Sequence, residues 1–192
     1  MPKVGKYEPA KLIAMFRLAA TLRKQMLGAG FTDNGGAIHS AERILNILGL
    51  RLCYPGLSHI NNLRHHPNAE FSTKARAAHK AGEKVLIEHV RPHRALTRLA
   101  IEQIEAGASD DVFEAFVKES FQLALLTREE TLHLNNMNRS KINPDRLKTA
   151  GIRLAKVRSA SMSQVVLPSV RPSPSIERTR PGKPGRASHV KR

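Results

Sequence analysis

Glu88 and His89 stand side by side at the end of a short apolar run, with Pro92 and His93 close behind. An acid next to a histidine at a strand end can serve hydrolysis. The neutral imidazole accepts a proton from water. The carboxylate can help hold a divalent cation, which stabilises the charge developing on a scissile phosphate. A third group must complete such a metal site. Residues 128–140 offer His133, Asn135, Asn136 and Asn138, and Arg139 and Lys141 could hold phosphate oxygens. Structural duties suit the same residues. His89 can bond a neighbouring carbonyl, Glu88 can pair with Arg91 or Arg94, and the asparagines can satisfy orphan carbonyls at a helix end.

The elements that would position these groups follow from local pattern. Lys84–Glu88 is apolar, rich in β-branched residues and bounded by Gly82 and Pro92, which predicts a strand. Over 94–106, Leu96, Leu99, Ala100 and Ile104 share one helical face, with Gly107 as the stop. Ser109 caps a following helix, and Asp110 and Asp111 suit its dipole. Residues 121–126 read as a second strand or as an extension of that helix. Thr127-Arg-Glu-Glu130 has the form of a capping box and predicts a helix to about Ser140. Asn143-Pro144-Asp145 opens a last short helix ending at Gly151. Upstream, Glu8–Leu27 is an amphipathic helix, and Asn34-Gly35-Gly36 marks a turn. Ser40 caps a helix over 41–48, closed by Gly49, and 53–70 reads mostly as loop. Ser72 or Thr73 caps a helix through Lys80. The expected fold is a mainly helical α+β domain over 1–153 with a small two-stranded sheet.

Glu88-His89-Val90-Arg91-Pro92, a strand at Leu123–Leu126 and a helix carrying Asn136-Met-Asn138-Arg139-Ser140-Lys141 together resemble the strand–strand–helix core of HNH-type nucleases. The resemblance spans residues 84–141. It implies metal-dependent phosphodiester cleavage with Mg or Mn. His89 would be the general base and Glu88 a metal ligand or orienter. His133 or Asn138 would be the helix ligand, and Lys141 a phosphate contact.

Charge points to the same class of partner. The chain has 192 residues and a net charge of +16. Half of that excess lies in 154–192, where nine Lys and Arg oppose Glu177 alone. That stretch is proline-rich, has no aromatic residue and is expected to be disordered. Its Arg178, Arg180, Lys183 and Arg186 form a basic arm that would neutralise phosphates without reading sequence. Arg91, Arg94 and Arg98 recur at i, i+3 and i+7 and can present a second basic face. The alternative for that face is a solvated helix surface, with Arg98 balanced by Glu102. With no Trp, two Tyr and six Phe, there is little material for stacking single-stranded bases, so duplex is the better fit.

Other classes are excluded or disfavoured. One cysteine, Cys53, rules out a disulfide scaffold and a zinc finger and suits a reducing cytoplasm. No apolar stretch approaches a membrane span, and no export leader is expected at the N-terminus. The function expected is double-stranded nucleic-acid binding, with HNH-like cleavage as its sharpest form. One alternative is a non-enzymatic DNA-binding regulator or accessory protein of a phage or mobile element. The other is a protein-interaction module with an acidic partner.

Overall fold

A computed structural model describes residues 7–155 apart from Ser58, Ser140 and Pro144. Helix α1 (Pro9–Gly28) is followed by α2 (His39–Cys53), a 3-10 segment (Ile60–His65), strand β1 (Glu70–Phe71) and α3 (Thr73–Lys80). Strand β2 (Leu86–His89), helices α4 (His93–Glu105) and α5 (Asp110–Ser120), strand β3 (Leu123–Leu126), and helices α6 (Arg128–Met137) and α7 (Arg146–Thr149) complete the order. The mainly helical α+β class is as expected.

The sheet has three strands rather than two, in the order β1-β3-β2. Strand β3 lies in the centre, parallel to β1 and antiparallel to β2. Its sequence, Leu-Ala-Leu-Leu, is buried at every position. A run apolar on both faces is what a strand covered on both sides requires. Leu123 and Leu125 face the larger core, built with Phe16, Ile38, Leu45, Ile101 and Phe113. Ala124 and Leu126 face a smaller core with Leu134, Leu147 and Ile152. Helices α1, α2, α4 and α5 thus cover one side, and α6 and α7 the other.

Caps fix most of the starts. The side-chain oxygens of Ser72, Ser109 and Thr127 accept from the backbone N–H groups of Ala75, Val112 and Glu130. The capping box at Thr127 is complete, with Glu130 returning to the Thr127 N–H at 2.9 Å. Glu130 also accepts from the Ser72 hydroxyl at 2.6 Å, which links the starts of α3 and α6. Gly107, at φ +84°, closes α4 as anticipated.

Several boundaries differ from expectation, and strand β2 runs from Leu86 to His89 rather than over 84–88. Helix α2 runs through Gly49 to Cys53, because Gly49 serves packing and not termination: a Cβ there would lie 2.3 Å from the Phe121 ring. Helix α6 ends at Met137, short of Ser140. The folded region also extends past 153. Leu154 forms a bridge with Ser72, and the Ala155 N–H donates to the Phe71 carbonyl at 2.7 Å. The rest of the expected arm, 156–192, with Arg178, Arg180, Lys183 and Arg186, lies outside the described residues. No helix among the described residues is long and apolar enough to cross a membrane.

Candidate functional site

Strand β2 is regular, with Glu88 opposite Ala124 and His89 opposite Leu123. Successive side chains on a strand point to opposite faces. Glu88 and His89 therefore belong to different layers of the protein.

His89 faces α2 and α4. Its Nε2 lies 3.2 Å from the Asn46 Oδ1. Its ring sits 4.6 Å from that of His93 and meets the Phe121 ring edge-on at 5.5 Å. Burial, helped by the charges of His93 and Arg146, pushes its pKa down to about 3. The imidazole is thus neutral at physiological pH, and it is bound into the packing between helices. His93 is also lowered by burial, and its Nε2 is buried with no hydrogen-bond partner among the described residues.

Glu88 faces α6 and α7. Burial raises its pKa, against the opposing pull of the Arg146 charge and a hydrogen bond from Asn135. His133 is exposed on α6, beside a cleft it shares with Lys74, Glu129 and Glu130. The Asn138 Oδ1 accepts from the Lys141 N–H at 2.9 Å, so that side chain holds its own loop. The anticipated base, His89, and the anticipated ligands Glu88, His133 and Asn138 are not gathered at one point. The sheet lies between His89 and the others. Among the described residues, no group of three or more His, Cys, Asp or Glu is arranged to hold a metal ion.

The group that organises this region is Arg146, which the sequence pattern placed only within a short helix. It is 3% exposed. Its Nε donates to the Asn138 carbonyl at 2.8 Å, one terminal nitrogen to the His89 carbonyl at 2.8 Å, and the other to the Asn135 Oδ1 at 3.1 Å. One guanidinium thereby joins the end of β2, the end of α6 and the start of α7, with the Glu88 charge nearby. No local signal marks this arginine out from the many exposed ones in the chain.

Beside Arg146 opens a cleft of about 320 Å³. Arg139, Lys141 and Arg146 line it with Asn138 and Asn143, and no carboxylate among the described residues does. Arg139 and Lys141 are exposed and make no ion pair among the described residues. The Asn143 Oδ1 accepts from the Asp145 N–H, so the loop carrying the two cations is shaped by its own side chains at both ends. Such a cleft can receive an anion, with Arg146 contributing fixed charge from the wall.

The expected stripe of Arg91, Arg94 and Arg98 is used internally. Arg91 precedes α4 and donates to the Ser120 hydroxyl at 2.7 Å. Arg94 pairs with Glu42 at 2.8 Å and donates to the Asn34 side chain. Arg98 pairs with Asp33 at 2.9 Å, not with Glu102, and Asp33 also holds Arg23 at 2.7 Å. The hydrogen bond from Arg23 holds the Asp33 carboxyl below its usual range, with Arg98 adding to it. Arg23, Arg94 and Arg98 lock α1, α2 and α4 to the turn between α1 and α2.

No protein-family model, curated protein or solved structure matches this chain.

Proposed function

We propose that the protein binds duplex nucleic acid through the cleft between the end of α6 and α7, and that it does so without cutting. The supporting observation is the cleft itself: Arg139, Lys141 and Arg146 line one concavity that no carboxylate among the described residues lines. Phosphate contacts from Arg and Lys position a protein on a duplex and carry no sequence information themselves. The net charge of +16 favours the same partner over the whole surface, and the scarcity of aromatic residues favours double over single strands. The basic stretch 156–192 would add further contacts. A single cysteine is in keeping with a reducing cytoplasm.

The non-enzymatic form is favoured because Glu88 and His89 face opposite sides of β2. A general base and its metal-holding carboxylate must meet at one phosphate.

The test is binding of a fluorescent 20-base-pair duplex, measured against salt. Removing one cation that neutralises a phosphate lowers the slope of log K against log salt by about 0.9. The double variant Arg139→Ala/Lys141→Ala should thus flatten the slope by about 2 and weaken binding at low salt. An unchanged slope in that variant defeats the cleft as the interface. Plasmid nicking with Mg or Mn that disappears in His89→Ala would overturn the non-cutting form.

A further inference from the structure

Helix α1 carries two apolar stripes. Leu12, Ile13, Phe16, Ala19 and Ala20 are buried in the core. Met15, Leu18 and Leu22, at i, i+3 and i+7, remain 47%, 61% and 46% exposed. These three form one wall of a groove of about 580 Å³, and Ile44 and Ile47 of α2 form the other. Tyr7, Arg43 and Ile47 also line a second cleft, of about 310 Å³, which continues along α2 past Arg51 to Ile60. The two depressions share a wall and make one longer track.

The borders are charged with one sign. Lys11, Arg43 and Arg51 line these clefts, and no carboxylate among the described residues does. A large exposed apolar strip rimmed by polar groups marks a binding surface. A groove between two helices suits a third one, whose residues at i, i+3, i+4 and i+7 would fill the space between α1 and α2.

We propose that this groove binds an amphipathic helix of a partner protein whose apolar stripe is flanked by acidic residues. Charge selects that occupant. A second copy docked about a twofold axis would set Lys11, Arg43 and Arg51 against their own equivalents, between chains that each carry +16. Residues 1–6 bring Lys3 and Lys6 and no carboxylate. An anionic membrane surface is engaged by a protruding apolar face. Here Ile44 and Ile47 are half-buried and line one wall of a groove, which makes the surface concave.

The experiment is selection of a displayed library of random 16-residue peptides against the full chain at 0.15 M salt. Enriched peptides should carry apolar residues at helical spacing and a net negative charge. A synthetic enriched peptide should lose at least tenfold in affinity for Leu18→Glu and for Arg43→Glu. Both positions are exposed, and a circular dichroism melt of each variant checks that it is folded. Replacing the peptide's Glu by Lys should restore binding to Arg43→Glu. Enrichment without acidic bias, or peptide binding indifferent to Leu18→Glu, overturns the proposal. So does a dimer in sedimentation that Leu18→Glu dissociates, which would make the occupant a second copy. Flotation with phosphatidylserine vesicles that Leu18→Glu abolishes would instead make it a membrane.

Discussion

Replacing Arg146 by Met tests whether one buried guanidinium holds the α6–α7 layer onto the sheet. The substitution keeps most of the side-chain volume and removes three hydrogen bonds, to the His89 and Asn138 carbonyls and to the Asn135 amide oxygen. It also removes the cation that opposes the burial of Glu88. Breaking such a buried arrangement by deleting one partner costs about 3–5 kcal/mol. At a urea dependence of about 2 kcal/mol per molar, the unfolding midpoint should fall by roughly 2 M. The pH dependence has a defined sign. Glu88 is raised in the folded state, so its contribution is fully present below its ordinary value of 4.5 and is lost as pH rises through the folded value. Without Arg146 that folded value climbs further, so the deficit should be larger at pH 7.5 than at pH 4.5. Adding Glu88→Gln to Arg146→Met should recover about 1 kcal/mol at pH 7.5, a coupling of the size expected between neighbours. Equilibrium urea unfolding followed by circular dichroism reads all of these. A loss below about 1 kcal/mol, or no difference between the two pH values, would refute the reasoning.

Gly49→Ala gains helix propensity, yet its Cβ would lie 2.3 Å from the Phe121 ring, so a net loss of about 1–3 kcal/mol should appear as a lowered melting temperature. Asp33→Asn should cost about 1–3 kcal/mol at pH 7, because Asp33 holds both Arg23 and Arg98. The Asp33 carboxyl is depressed in the fold, so its contribution is present above its ordinary value of 3.8 and fades as pH falls through the folded value. Melts of the two proteins should therefore converge in acid. Glu130→Ala removes acceptors for the Thr127 N–H and the Ser72 hydroxyl, and denaturant unfolding should show a loss of about 2 kcal/mol.

Local signals in the sequence carry most of the helical framework. Ser72, Ser109 and Thr127 announce their helices because a side-chain oxygen before a turn satisfies a backbone donor within three residues. What depends on distant partners is not legible. Strand β1 is two residues inside a loop-like stretch, and it exists because β3 lies beside it. Gly49 looks like a terminator until Phe121 is seen against it. Arg98 has a plausible partner four residues on, but a nearly buried Asp33 outcompetes it from across the fold. For Glu88 and His89 the decisive rule is local after all, since the twofold period of a strand separates adjacent side chains. Arg139 and Lys141 read from the sequence as phosphate contacts, and the structure places them together in one cleft; Arg146, which completes its lining, has no local mark.

The middle strand of the sheet is the last of the three along the chain. During synthesis, residues 70–71 and 86–89 leave the ribosome with nothing to pair with until Leu126 has emerged, because each bonds to β3 and not to the other. Helices α1 and α2 can meet long before that. A nascent chain stalled ahead of residue 123 would hold an assembled helical part and two bare strand edges, the kind of intermediate that chaperones attend.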